Sequence, residues 1–151
     1  VKDYIYGDLA YSLFCLGRYV EAADAYRVAG IEVPDNPLFP VGEARCSLAA
    51  GRSDEARDHV GRALALDSSY APAHETLALI AEAKGLFPAA EKEYRTALAG
   101  NARMLSAWKG LEHALRRQGK IEEADALAKQ MAYQFADKTY STPFPDQGAW
   151  R

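Results

Sequence analysis

The side chains best suited to chemistry in this sequence are two cysteines, three histidines and several pairs of neighbouring carboxylates. The cysteines and histidines are Cys15, Cys46, His59, His74 and His113. Their spacing fits no metal-binding pattern, and two cysteines are too few for a disulfide framework. We expect two buried or half-buried thiols in a reducing compartment, with a disulfide as the alternative. The sequence therefore predicts no metal site and no cofactor.

The acidic pairs favour a surface role over catalysis. Glu91/Glu93 and Glu122/Glu123 fall on the outer faces of predicted helices, where solvation and pairing with residues four positions away explain them. The chain has no glycine-rich phosphate loop and no Ser-x-x-Lys, Gly-x-Ser-x-Gly or His-Glu-x-x-His motif. We therefore expect a protein that is not an enzyme.

Composition narrows the class further. The 151 residues allow one domain, and the hydrophobic fraction of 49% argues against intrinsic disorder. The formal charge of −3 gives no electrostatic reason to expect nucleic acid or an anionic membrane as a partner. No stretch approaches the ~20 apolar residues of a spanning helix, and no signal segment opens the chain, which favours a cytoplasmic protein. Because residue 1 is Val rather than Met, a natural N-terminus upstream of it stays an alternative.

An internal repeat of 34 residues indicates the structural elements that position these side chains. The motif Gly-x-x-x-x-Ala occurs four times in the same phase. Its glycines are Gly17, Gly51, Gly85 and Gly119, and its alanines are Ala22, Ala56, Ala90 and Ala124. The position nine residues after each glycine carries Tyr26, Val60, Tyr94 and Ala128. Four supersecondary units of equal length are therefore expected.

Each unit is predicted to be a helical hairpin. In unit 1, Tyr6, Leu9, Ala10 and Leu13 recur at the spacing of one helix face, which predicts a core-facing stripe. The glycine closes this helix because a chain that reverses after a helix often needs a left-handed residue. Pro34 then ends the second helix.

These residues closely resemble the tetratricopeptide-repeat (TPR) family over about residues 3–138. The matches in unit 1 are Tyr6, Leu9-Ala10, Gly17-Arg18-Tyr19, Ala22, Tyr26, Ala29 and Pro34. The resemblance implies an all-α solenoid of eight helices, with a TPR domain over 1–138. Its repeats are about 3–36, 37–70, 71–104 and 105–138.

Two segments depart from the repeat. Unit 2 has Pro40 at the family's aromatic position and Glu43 at its Leu position, so its first helix is expected to start late and to be shifted or less well packed. Residues 139–151 form a tail with Pro143 and Pro145, which forbid a regular helix. This non-helical tail is expected to cap the last helical pair, with docking in the groove of another copy, and hence self-association, as the alternative.

The resemblance also implies that the first helix of each unit lines a concave groove that holds a polypeptide. Carried over position by position, the groove residues are Tyr4, Tyr11, Phe14, Leu38, Val41, Arg45, Leu48, Glu75, Leu79, Glu82, Lys109, His113 and Arg116. The spacing agrees, because Tyr4, Tyr11 and Phe14 share a helix face rotated away from the core stripe; contact with a neighbouring helix is the alternative. The groove would be apolar at its N-terminal end, acidic in the middle and basic at its C-terminal end.

The function expected from this groove is that of a non-enzymatic scaffold or adaptor. Its partner would be a protein or peptide segment with apolar anchors. TPR domains that grip a free carboxylate use Lys and Asn at positions that carry Gly7, Asp8 and Tyr11 here, so that mode is not expected. One alternative is a holding chaperone, since Leu9-Ala10-Tyr11 and Gly17-Arg18-Tyr19 resemble the TPR-type chaperones of type III secretion. Another is a regulatory TPR fragment of a larger protein.

Overall fold

The computed structural model describes residues 2–136, with side chains from residue 5 onward, and over that range it contains eight helices and no strand. The helices are α1 (Lys2–Cys15), α2 (Tyr19–Glu32), α3 (Leu38–Ala49), α4 (Ser53–Leu66), α5 (Ala71–Ala83), α6 (Phe87–Gly100), α7 (Leu105–Arg117) and α8 (Ile121–Ala136). The prediction of four helical hairpins is confirmed. The predicted tail at 139–151 lies outside the described residues, as does the side chain of Tyr4. No described helix has both the length and the apolar character needed to cross a membrane.

The turn inside each hairpin is made by its repeated glycine. The four glycines have φ angles between 73° and 79°, in the left-handed region that side chains with a Cβ adopt only at a cost. In unit 1 the amide of Arg18 donates to the carbonyl of Leu13 at 2.9 Å, and the amide of Gly17 donates to Phe14 at 3.0 Å. This pairing satisfies the last carbonyls of the helix, and it recurs in the other three turns.

The junctions between units 1 and 2 and between units 3 and 4 each pack an aromatic ring against a glycine. The second helix of each unit packs on the first helix of the next. A methyl group at Gly42 in α3 would lie 2.5 Å from Cδ1 of Tyr26 in α2, and one at Gly110 in α7 would lie 2.5 Å from Cε1 of Tyr94 in α6. Both glycines are therefore needed for close approach of the two helices, although both are helical.

The first helix of unit 2 corrects the sequence prediction. It begins at Leu38, one residue later than α5 and α7 in repeat register, and most of it is buried. Pro40 is tolerated because it lies in the first turn, where a backbone N–H has no partner within the helix. Glu43 is only 4% exposed and accepts a hydrogen bond at 3.0 Å from Arg62 of α4. The expected late start is therefore present, by one residue, whereas the expectation that this helix is less well packed is wrong.

The predicted core stripe of α1 is only partly buried. Ala10 is fully buried, whereas Leu9 is 47% exposed. The neighbouring Ile5 is 59% exposed, although its counterparts one repeat apart, Phe39 and Ala73, are at most 3% exposed. No unit precedes α1 among the described residues, so nothing there covers this face.

Candidate functional site

The inner side of the solenoid is formed by the first helices of the units. Helices α1, α3, α5 and α7 pack against one another in sequence. Within the described residues the backbones of the second helices lie close only to first helices, although Arg95 of α6 reaches Glu123 of α8 at 3.5 Å. The stack therefore curves toward the first helices, as expected for a solenoid with a concave inner surface.

A cavity of about 770 Å³ opens on this side, and we call it the inner cavity. Its lining residues are Gly7, Asp8, Tyr11, Tyr26, Val33, Asn36, Leu38, Phe39, Val41, Gly42, Arg45, Tyr70, Pro72, Glu75, Met104 and Ser106. All four units contribute, and the volume lies in the range of ordinary ligand sites.

Five of the predicted groove residues line the inner cavity: Tyr11, Leu38, Val41, Arg45 and Glu75. Tyr11 is 64% exposed and Leu38 is 45% exposed, so both present apolar surface to the solvent. Val41 is buried and forms part of the wall. The structure thus brings the N-terminal half of the predicted groove together.

The other predicted apolar residues lie elsewhere. Phe14 packs edge-on against Tyr19, with ring centroids 5.4 Å apart, and rests on the core of the first hairpin. Leu48 is partly buried against the core between units 2 and 3. Leu79 is also partly buried and does not line the inner cavity.

Three of the predicted charged residues of units 3 and 4 (Glu82, His113 and Arg116) are engaged with other side chains. Glu82 lies 3.2 Å from His113 Nδ1, and Lys109 is exposed. Arg116 donates to Glu112 of its own helix at 3.0 Å and to Asp125 of α8 at 2.8 Å. None of the four predicted residues Glu82, Lys109, His113 and Arg116 lines the inner cavity, so the predicted basic end is not part of it.

The charges of the inner cavity are arranged around one buried carboxylate. Glu75 is 4% exposed and bonds to both Arg45 of α3 and Ser106 of α7. Arg45 Nε is buried and has no hydrogen-bond partner among the described residues. Among the described residues that line the cavity, Asp8 is the only other charged one. The inner cavity therefore holds two carboxylates and one guanidinium, and the guanidinium is already paired.

The sequence prediction missed the residues that lie just before each first helix. Asn36, Tyr70 and Met104 all line the inner cavity and are spaced by one repeat. Tyr26 of the second helix, α2, lines it too and was not among the predicted groove residues. Burial raises the pKa of Tyr70, and it raises that of Tyr26 to about 12, so both hydroxyls stay protonated at neutral pH. The 34-residue spacing could have predicted Asn36, Tyr70 and Met104 if the loops before the first helices had been included.

Carboxylates predicted on outer faces instead link helices. Lys120 Nζ donates to Glu91 at 2.9 Å, and Gln118 Nε2 donates to it at 2.8 Å. Burial alone would raise the pKa of Glu91, but hydrogen bonds from these two residues and Arg95 lower it to about 2. Glu93 lies 2.9 Å from His74 Nδ1. The predicted pairing four positions along the helix is present for Glu91, which accepts hydrogen bonds from Arg95 at 3.0 and 3.2 Å. Solvation explains neither Glu91 nor Glu93, since each also pairs with a side chain outside α6.

The cysteines are free and differ in environment. Cys15 is exposed, whereas Cys46 is buried and its pKa is raised to about 11, chiefly by burial and secondly by the nearby Glu43. Among the residues with described side chains, no group of three or more His, Cys, Asp or Glu is placed to hold a metal ion.

Comparison with known proteins places the fold. No protein-family model matches the sequence, and no curated protein does. Solved structures match with 22–23% identity. The TPR protein TTC0263 of Thermus thermophilus has a TM-score of 0.75 and is matched over 87% of this chain and 73% of its own. The first TPR domain of human RPAP3 has a TM-score of 0.69, over 80% and 95%. The first TPR of Spaghetti (RPAP3), bound to the HSP90 peptide SRMEEVD, has a TM-score of 0.66, over 78% and 94%. With its 34-residue repeat, its glycine turns and this likeness, the chain has the tetratricopeptide-repeat fold.

Proposed function

We propose that this chain is a protein-binding module that holds an extended segment of a partner protein in the inner cavity. The observation that carries the proposal is the repetition of the lining. Residues at the same repeat positions line the cavity from successive units, as Asn36, Tyr70 and Met104 do, and as Leu38, Pro72 and Ser106 do. A site built from repeated positions suits a ligand that runs along the solenoid.

The exposed apolar side chains supply the binding energy in this proposal. Tyr11 and Leu38 are about half exposed or more and stand at the rim, while Val41 and Phe39 form the wall. Covering a leucine-sized side chain contributes about 1.5–3 kcal/mol when its burial is complete. Two or three such anchors contribute about 3–9 kcal/mol in total, and the cost of ordering the segment is subtracted from this, so the anchors alone support binding no tighter than about the micromolar range.

The charges favour a segment with apolar anchors over an acidic peptide. The RPAP3 domain is bound to SRMEEVD, which carries three carboxylate side chains. Here Arg45, the only cation among the described residues that line the inner cavity, is paired with Glu75, and Asp8 adds a second negative charge. An acidic segment would therefore meet repulsion without a free cation. A main-chain carbonyl is the better acceptor for the unpaired Arg45 Nε.

The test compares two leucines of nearly equal exposure. Leu38 lines the inner cavity and is 45% exposed, whereas Leu66 of α4 is 43% exposed and does not line it. We expect Leu38→Glu to bind a partner segment at least ten times more weakly than the native chain, and Leu66→Glu to bind it like the native chain.

Partners would be captured from a lysate of the source cell with the native chain and both variants, after circular dichroism has shown that all three are folded. The captured segment would then be titrated by calorimetry. Equal binding by the two variants, or capture of no protein by any of the three, would exclude the inner cavity as the binding site. Micromolar binding of the peptide SRMEEVD would overturn the proposed preference for apolar anchors.

A further inference from the structure

The end of α8 is held to residues around the start of α7, where Met104 and Ser106 line the inner cavity. Gln134 Nε2 donates to the carbonyl of Ala102 at 3.0 Å, and the ring of Phe135 packs edge-on against Trp108, with centroids 6.4 Å apart. Ala102 precedes the lining residue Met104 by two positions, which is at most roughly 8 Å along the chain. The chain that follows Ala136 therefore starts next to the unit 4 wall of the cavity.

The following segment is long enough to cross the cavity. Residues 137–151 number fifteen, and an extended segment of that length reaches about 50 Å. Neighbouring helix axes lie about 8–10 Å apart, so the four first helices span roughly 30 Å. The segment can therefore run from unit 4 to Tyr11 of unit 1 within one molecule.

The composition of the segment matches the chemistry of the cavity. It carries three aromatic side chains, Tyr140, Phe144 and Trp150, which are costly to leave in water. Pro143 and Pro145 oppose a helix and favour extended backbone, so less conformational entropy is lost when the segment binds in that form. Its charged side chains are two acidic and two basic, so no net charge opposes binding beside Asp8 and Glu75.

We propose that residues 137–151 occupy the inner cavity of their own chain and compete there with the partner. The competition with a partner rests on the proposed function, whereas the occupancy of the inner cavity by residues 137–151 does not. A segment tethered this closely has an effective concentration on the order of 1 mM. If it binds with a dissociation constant of about 0.1 mM, a partner that must displace it binds roughly tenfold more weakly than to an open cavity.

The test follows Trp150 in the full chain by acrylamide quenching of its fluorescence. The only other tryptophan, Trp108, is 7% exposed, and a Trp150→Phe variant gives its contribution for subtraction. We expect Trp150 to be shielded in the native chain and to become at least threefold more quenchable in Leu38→Glu. The matched Leu66→Glu variant should leave it shielded. If Leu38→Glu does not fold, Tyr11→Glu, at a rim residue 64% exposed, takes its place.

Three results would overturn the inference. Trp150 could be as quenchable as free tryptophan in the native chain. Trp150 could stay shielded in Leu38→Glu, or in Tyr11→Glu if that variant is used instead, which would place the segment on another surface, such as the last helical pair. Shielding could also appear only at high concentration together with a doubled mass in light scattering, which would assign the segment to a second copy.

A tail variant separates this inference from the proposed function. Phe144→Ser with Trp150→Ser should open the inner cavity and strengthen partner binding about tenfold. If Trp150 is shielded in the native chain but the tail variant captures no partner, the proposed function is wrong, and the inference that residues 137–151 occupy the cavity still holds. Equal partner affinity for the native chain and the tail variant would sink the inference alone.

Discussion

The close contact between units 3 and 4 makes Gly110→Ala a demanding test of how the solenoid is assembled. A methyl group at Gly110 would lie 2.5 Å from Cε1 and 2.6 Å from Oη of Tyr94. Tyr94 is only 1% exposed, so the ring has little room to retreat. The chain offers a matched control in Gly61, a helical glycine of α4 at which a methyl group would meet nothing within 4 Å.

The magnitude follows from two opposing effects. Alanine is favoured over glycine inside a helix by about 0.8–1 kcal/mol, and both variants gain this. Overpacking a buried contact typically lowers the free energy of unfolding by about 1–3 kcal/mol, and this loss applies only to Gly110→Ala. Because the overlap involves several ring atoms, we expect the upper part of that range. Gly61→Ala should therefore be more stable than Gly110→Ala by about 2–3 kcal/mol, or roughly 4–12 °C in melting temperature.

The assay is urea unfolding followed by circular dichroism, with equal m values required for the comparison. The equivalent positions of units 2 and 3 carry Val60 and Thr76, both fully buried. The double variant Tyr94→Val/Gly110→Thr copies that pair, so it should be more stable than the sum of its two single changes predicts. If Gly110→Ala is as stable as Gly61→Ala, the conclusion that the Tyr94 ring requires a glycine at position 110 is refuted.

Three further outcomes are expected. Gly85→Val should lower the free energy of unfolding by at least about 1–2 kcal/mol because φ is +73° there, and Gly85→Asn should lower it less; equal losses would contradict the turn geometry. The pKa of Glu91 is about 2 when folded, below its unfolded value, so the carboxylate stabilises the fold above about pH 4.5, and this contribution is lost as pH falls toward 2. The advantage of the native chain over Glu91→Gln in urea unfolding should therefore shrink between pH 7 and pH 3, and a constant difference would contradict the role of the hydrogen bond from Lys120. Iodoacetamide should label only Cys15 in the native protein and Cys46 only after unfolding, since Cys46 is 1% exposed and its pKa is about 11; two rapidly labelled thiols would contradict its burial.

The fold was predictable because its determinants repeat. Gly17 and its three counterparts occupy one phase, and each adopts the left-handed conformation that the spacing predicted. The small residues Ala22 and Ala29 are fully buried where two helices meet, as their repetition indicated. A pattern of this kind is visible in one sequence because every unit solves the same packing problem.

The pairing of side chains was not predictable in the same way. Repeat position places a Cα atom on a helix face but does not choose among the partners within reach of a long side chain. Arg116 was assigned to the groove and instead bonds to Asp125 of α8. Glu43 was taken as a defect, yet Arg62 of the next helix satisfies it. In both cases the partner is set by contacts between helices that periodicity does not report.

The extent of the inner cavity follows from one such pairing. Tyr11, Arg45, Leu79 and His113 share a repeat position, but only the first two line the cavity. Glu75 bonds to Arg45 and to Ser106, and so links the first helices of units 2, 3 and 4. This series of hydrogen bonds crosses the inner face just before Leu79. It also pairs Arg45, the only cation among the described residues of the cavity lining, with the buried carboxylate of Glu75. The proposed site is therefore concentrated on units 1 and 2, where Tyr11 and Leu38 leave apolar surface uncovered, and selectivity there would depend on shape and apolar anchors more than on charge.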